Sequence, residues 1–367
     1  MSRIVFASHT ARTSTFRVGS HHLSRELARQ GHLVVHVSTP LSPLRFTGST
    51  GSSNLTRRWR EHSMGPWQVE ENLVDIVPFT VVPVQGNGFL PRPVVERAVF
   101  PGLRTTLSAL DMDDPDFLVI DEPLFAGLED VLTPRRVVYR PTDQYEGRFH
   151  GAAQARLVRR ADGVVATSEQ VLRALPARAR QVPHLTLPNG VDLAHVVRPA
   201  SGAARIAGAV YVGAMDDRFD AAWLAEVASL APEVPFALYG PRPPGRDWPA
   251  NVTLHGPLPY DDLPDVLARY RVGLMPFRDV VQNHGRSPMK MYEYLACGLF
   301  VVSTGAVRQV SAEGAPGVWD VPDAAAAARR ISELATSAQL NQEGADVAQG
   351  KGWVGIADRL AAFLQSL

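Results

Sequence analysis

Short apolar runs that alternate with stretches of helical periodicity, twice over, constrain this chain more than any other feature. The first series predicts strands near Ile4–Ala7, Leu33–Val37, Leu73–Val77, Phe117–Ile120, Arg136–Tyr139, Gly163–Ala166 and His184–Leu187. After the Pro-, Gly- and Ala-rich segment Arg198–Gly202 the alternation restarts, near Ala209–Val212, Phe236–Tyr239, Val252–Leu254, Val272–Met275 and Phe300–Ser303. Intervening helices are expected over Arg17–Gln30, Val94–Leu110, Ala221–Leu230, Leu263–Arg269, Met289–Ala296 and Ala324–Leu334. Repeated strand-helix-strand units of this kind form mainly parallel, doubly wound sheets. The expectation is an α/β protein of two such domains, 1–198 and 199–350, with a linker near 196–206. A last helix, within 351–367, packs back on the first domain. Ligands bind open α/β sheets at the carboxyl ends of the strands, so the site is expected in a cleft faced by both domains.

At 367 residues the chain has the length for two domains. It is 45% hydrophobic and 20% charged, the profile of a packed globular protein. A formal net charge of zero argues against general nucleic-acid binding, which needs a strongly basic surface. Residues 1–200 carry 23 arginines and no lysine against 19 acidic residues, a mild bias toward an anionic surface or acceptor. With Cys297 as the single cysteine, neither an internal disulfide nor a cysteine-based zinc site can form. No apolar run reaches the length of a membrane span, and the N-terminus runs straight into Ile4-Val5-Phe6-Ala7, so a cytoplasmic location is expected.

Lys290 and Lys351 are the only lysines. Where either cation would serve, this chain uses arginine, so a lysine inside a motif calls for a specific explanation. Lys290 belongs to Ser287-Pro288-Met289-Lys290-Met291-Tyr292-Glu293-Tyr294-Leu295-Ala296-Cys297-Gly298. Pro288 suits the first turn of a helix and Gly298 its end. The free N–H groups and dipole of such an N-terminus favour a diphosphate, to which Lys290 adds a full charge. Glu293, three residues on, shares its face and can accept from ribose hydroxyls.

This motif resembles the donor-binding helix of bacterial GT-B glycosyltransferases. The resemblance implies that Lys290 holds the donor diphosphate and Glu293 the nucleoside. The second glutamate of retaining GT4 families, eight residues earlier, is replaced here by Gly285. Over most of its length the chain is more similar to the inverting, membrane-associated glucuronosyltransferases of xanthan synthesis. There, Val138-Tyr139-Arg140-Pro141-Thr142-Asp143 matches an element whose aspartate is the general base, Val212-Gly213-Ala214-Met215-Asp216 matches a donor loop, and glutamine stands in place of Glu293. UDP-sugar is the donor so implied.

The residues themselves leave alternatives open. Asp143 ends a strand in the domain expected to bind acceptor, where it can take a proton or cap a turn. Asp121 and Glu122 end another strand and are rival acid/base candidates, whose pairing would raise one pKa, or they cap the strand end. Glu122 matches an acidic position of the xanthan-type enzyme, as an acceptor-site residue. His9, in Ser8-His9-Thr10-Ala11-Arg12, touches acceptor or leaving diphosphate, or is structural. Gly213 and Met215 begin a donor loop or a plain turn; Tyr239-Gly240 and His255-Gly256-Pro257-Leu258 end two further strands, and backbone groups of the latter could read a uracil edge. Ser287 and Met289 complete the donor set. Pro188-Asn189-Gly190-Val191-Asp192 marks a turn before the linker. Leu41–Pro66, with Arg57-Arg58-Trp59-Arg60, is read as a long loop, either a solvated insertion or a contact with anionic membrane or a lipid-linked acceptor.

The expected activity is sugar transfer from a nucleotide-sugar to a glycan or lipid-linked acceptor, without bound metal or cofactor. The alternatives are a retaining GT4-like transferase, a nucleotide-sugar epimerase, and a non-catalytic nucleotide-sugar binding module.

Overall fold

The computed structural model describes residues 1–14, 17–42, 52–80, 101–145, 147–196, 205–240 and 246–367. The chain divides into two compact units, Met1–Leu187 with Ala357–Leu367, and Pro188–Ile356. It thus passes between them at Leu187–Pro188, ahead of the expected linker, of which 197–204 lie outside the described residues.

The first unit holds β1 (Arg3–Ser8), β2 (Leu33–Ser38), β3 (Trp67–Glu70), β4 (Leu73–Ile76), β5 (Phe117–Ile120), β6 (Arg136–Tyr139), β7 (Gly163–Ala166) and β8 (His184–Thr186). They form one sheet in the order β3-β4-β2-β1-β5-β6-β7-β8, parallel except for the antiparallel edge strand β3. Its central strands are continuous apolar runs because helices cover both faces, and Ile4, Val5, Phe6 and Ala7 of β1 are all fully buried. The helix after β1 runs Gly19–Arg29, stopped by Gly31 at φ +85°. Of the helix expected over 94–110, Pro101–Ser108 is helical and 94–100 lie outside the described residues. The expected loop at 41–66 is corrected: Ser52–Ser63 is a helix, and 43–51 lie outside the described residues. Its Ser and Thr content masked a sequence that Arg58 and His62 pin to the sheet, through bonds to Ser38 and Thr39 and to the Val77 carbonyl. In the other half of the sheet, Phe363 and Leu367 press on β7 at Gly163, and Arg136 Nε at the start of β6 donates to the Leu367 carbonyl at 2.9 Å.

The second unit holds β9 (Ala209–Val212), β10 (Phe236–Tyr239), β11 (Val252–Gly256), β12 (Val272–Met275), β13 (Phe300–Ser303) and β14 (Val318–Asp320), ordered β11-β10-β9-β12-β13-β14 and parallel throughout. The strand order reverses between β9 and β12, as it does between β1 and β5 in the first unit. Such reversals open a crevice at the carboxyl ends of the strands. The helix Met289–Ala296 crosses from β12 to β13, which sets its N-terminus at that end of the sheet. Gly273 lets it lie close, since a Cβ there would come within 2.4 Å of the Tyr294 ring, and the Tyr294 hydroxyl accepts from Val212 N at 3.1 Å.

Candidate functional site

In the second unit three adjacent strands, β9, β10 and β11, run out into or end on glycine: Gly213, Gly240 and Gly256. Gly213 N donates to the Tyr239 carbonyl at 2.9 Å and Gly240 N to the Gly256 carbonyl at 2.7 Å. A Cβ on Gly240 would sit 1.9 Å from the Gly213 oxygen, so bare backbone is obligatory there. Met215 is buried and its methyl faces Gly240.

Over this floor stands Lys290. Pro288 proves to be the residue that precedes the helix rather than its first turn, with φ −78° and ψ 116°, and Lys290 therefore falls in the first turn. Its Nζ lies 3.3 Å from the Tyr211 hydroxyl, 4.3 Å from the centre of that ring and 5.2 Å from the centre of the Phe277 ring. A side chain on Gly213 would collide with it, the Cβ falling 2.4 Å from Nζ. Burial against these rings, aided by the Arg286 guanidinium, lowers the Lys290 pKa to about 7. Arg286 stacks on the same Phe277, 5.1 Å from its centre. Buried Glu293 is raised to about 7 by desolvation, with Lys290 opposing. Asp216 pairs with Arg218 at 2.6 Å.

Ser287 is buried, accepting at Oγ from Asn189 N and at its carbonyl from Asn189 Nδ2, both at 2.8 Å. Met289 is half-buried at the helix start. Tyr239 lies parallel to His255, ring centres 4.4 Å apart, beside Gly256. Leu258 packs half-buried against the core that includes Met291 and Tyr294. The structure thus gathers Gly213, Met215 and Lys290 about the end of β9, holds Ser287 on Asn189 just ahead of the helix, and sets Tyr239 and Gly256 one and two strands away. The sequence reading missed Tyr211, Phe277, Arg286 and the use of Asn189. Aromatic residues at strand ends read as core, and nothing local shows that their faces carry a cation.

In the first unit His9, Glu122 and Asp143 follow β1, β5 and β6, three neighbouring strands. His9 is exposed, with Nδ1 3.0 Å from Thr10 Oγ1. Glu122 is buried and caps a short 3-10 turn, accepting from Leu124 N at 3.2 Å. Asp143 is half-buried. Asp121 is raised to about 6, but burial rather than Glu122 is the cause, and fully buried Arg140, 3.0 Å away, opposes the shift. Asp121 also accepts from Ser8 Oγ at 3.4 Å, and Ser8 is bonded to Ser20, which reaches His36. These neighbours make Asp121 part of a buried structural network.

A diphosphate held beside Lys290 would favour its charged form, so such binding would draw a proton onto the amine. In the free protein the lowered pKa means that stability rises with pH between about 7 and the ordinary 10.5, where the unfolded chain binds more protons. Diphosphate binding there would reverse the preference. UDP affinity is expected to fall as pH rises above about 7, by at most about tenfold per pH unit for one proton. Calorimetry in buffers of different ionisation heat would register the uptake, and a pH-independent affinity from 6.5 to 8.5 would contradict it.

Among the described residues no helix is long and apolar enough to cross a membrane. A glycosyl transferase-like family model matches residues 218–349, a span that contains Lys290 and Glu293. A teichuronic acid biosynthesis glycosyltransferase of Bacillus subtilis (strain 168) is 25% identical over 170 residues, 42% of this chain and 43% of that protein. The chain therefore spans under half the length of the curated relative it matches. Sucrose-phosphate synthase from Thermosynechococcus elongatus superposes with a TM-score of 0.70 at 15% identity, covering 100% of this chain and 99% of that one. The Anabaena protein HepE, solved in complex with UDP-glucose, gives 0.65 at 16% identity with both chains covered in full. Two Rossmann-like parallel-sheet units with these structural neighbours make the fold GT-B.

Proposed function

We propose that the protein is a glycosyltransferase that takes a sugar from a nucleotide-sugar, a UDP-sugar in particular, and passes it to a glycan or lipid-linked acceptor. The observation that carries this reading is Lys290, seated in the first turn of Met289–Ala296 over the side-chain-free backbone of Gly213. A leaving nucleoside diphosphate would meet helix N–H groups and one ammonium there, and stabilising that departing charge lowers the barrier to transfer. The matched family span, the Bacillus relative and the UDP-glucose complex of HepE point the same way.

Transfer proceeds with inversion: Asp143 removes the proton from the acceptor hydroxyl as its oxygen attacks the anomeric carbon, and the bond to the diphosphate breaks. The acceptor side is read as the β1, β5 and β6 ends, with His9 and Glu122 beside Asp143. The xanthan-type resemblance makes a hexuronic acid or hexose the transferred sugar. Each part of this reading has its own test. A thermal-shift screen against UDP-, GDP- and TDP-sugars identifies the donor, since a ligand at 100 times its Kd stabilises the native state by roughly 2.7 kcal/mol. The anomeric configuration of the product decides between inversion and retention. Recovery of an isomerised or unchanged donor in the presence of acceptors would replace the transferase reading with an epimerase or a binding module.

Peripheral membrane contact belongs to the same proposal. On the helix Ser52–Ser63 and the residues just after it, Trp59 (53% exposed), Arg60 and Met64 (51% exposed) are outward at helical spacing. Cationic and aromatic residues so arranged suit an anionic lipid surface. Binding to anionic liposomes is expected, weakening with salt as the screening length shortens below about 8–10 Å. Trp59→Ala combined with Arg60→Ala should lower it severalfold. Equal sedimentation with neutral and anionic vesicles would dismiss the contact.

A further inference from the structure

Lys351 is the second of two lysines in a chain with 35 arginines, and the donor reading does not use it. It sits where the chain prepares to leave the second unit, five residues before Ile356, while Asn189 sits where the chain has just entered it, directly after Pro188. The two segments are joined edge to edge: Val191 N donates to the Lys351 carbonyl at 3.0 Å and Trp353 N to the Val191 carbonyl at 3.3 Å. They lie so close that a Cβ on Gly190 would fall 2.3 Å from the Lys351 oxygen.

Each segment also grips the helix that carries Lys290. Asn189 holds Ser287, immediately ahead of the helix, by the two 2.8 Å bonds described above. Lys351 acts on its middle. Its Nζ lies 2.5 Å from Glu313 Oε1 and 5.7 Å from the centre of the Tyr292 ring, and the Tyr292 hydroxyl donates to Glu313 Oε2 at 3.0 Å. One carboxylate therefore bridges the lysine and the helix. A compact ammonium can approach a single carboxylate oxygen while resting near a ring; a guanidinium is larger and planar.

We propose that Asn189 and Lys351 are positioning residues for the donor site, fixing the height and angle of Met289–Ala296 so that Lys290 and the first-turn N–H groups meet the diphosphate together. The proposal rests on the reading of that helix end as the donor site. A point charge and a set of aligned N–H groups lose their advantage when misplaced by about 1 Å, so small releases of the helix should register in affinity. Both residues act through the helix, at a distance from the ligand.

The test uses UDP as the probe and the full-length protein. In titration calorimetry, carried out at a temperature where every variant is folded, Asn189→Ala and Lys351→Met are each expected to raise the UDP Kd about three- to tenfold. Lys351→Arg should recover part of the loss. Lys351→Met with Glu313→Gln should be no weaker than the worse single variant, since both break one bridge. A control separates positioning from general stability. Asn251 Nδ2 bonds the carbonyls of Ala228, Ala231 and Val234, away from the donor helix, so Asn251→Ala should lower the Tm and leave the UDP affinity as it was. Lys351 is partly exposed and is expected to tolerate replacement, so Lys351→Met decides the matter alone if Asn189→Ala fails to fold. Affinity within twofold of the parent in folded Lys351→Met, with Lys290→Ala still losing UDP, would overturn this proposal and leave the donor site standing. Unchanged affinity in Lys290→Ala as well would remove the donor reading itself.

Discussion

Lys290→Ala is expected to weaken UDP and UDP-sugar alike by about 1.5–3 kcal/mol, roughly ten- to more than a hundredfold, the usual cost of losing a charge-assisted contact. The loss should appear with UDP itself because the contact proposed for the ammonium is to the diphosphate and not to the sugar. The fold should remain, since in the free protein this amine is desolvated between Tyr211 and Phe277 and its charge is disfavoured there. Lys290→Arg is the sharper variant. With the Gly213 backbone directly beneath Nζ, a planar guanidinium has little room, and recovery of only part of the affinity is expected. Titration calorimetry checks both, and unchanged UDP binding in a folded Lys290→Ala protein would end the donor assignment.

Asp143→Ala should leave UDP binding nearly intact while turnover falls by about 10²–10⁴-fold, the range for a lost general base. Asp143→Asn keeps the shape without the basicity and should be as slow. The separation of effects matters: Lys290 variants are expected to change the UDP Kd and Asp143 variants kcat. Near-normal turnover in Asp143→Ala would transfer the role to another group. Glu122 would then be the first to test, because Asp121 is committed to its ion pair with Arg140 and to Ser8.

Much of the architecture was legible because buried parallel strands write themselves as unbroken apolar runs, which Ala209–Val212 and Phe117–Ile120 do to the residue. β3 and β14 escaped notice for the opposite reason: they are edge strands, half-exposed and mixed in composition. The helix Ser52–Ser63 was hidden by its N-terminal Ser and Asn, which suit a loop as well as a helix start, and its position is set by partners distant in sequence. In the candidate site, the place of Lys290 in the first turn of a helix was legible because the helix signals around it are strong. Its setting was not, since Tyr211 reaches it from β9 and Phe277 from the segment after β12. Asn-Gly at 189–190 was read as a turn, and only packing shows that the asparagine is occupied with Ser287 and that the glycine makes room for the Lys351 carbonyl. The pairing of Asp121 with Glu122 was suggested by adjacency in the chain, whereas neighbours in sequence on a strand end point apart.

The seating of Lys290 has a consequence for the chemist at the bench. Burial lowers the pKa of this amine to about 7, so in neutral buffer its unprotonated fraction far exceeds that of an ordinary lysine, which reacts more slowly with acylating reagents. Lys351 and the α-amine of Met1 are the other amines such a reagent could reach, and under the proposed donor reading a bound nucleotide would shield Lys290. Protection of Lys290 from such a reagent, compared with the other amines of the chain, would then report on nucleotide binding without any residue having been exchanged.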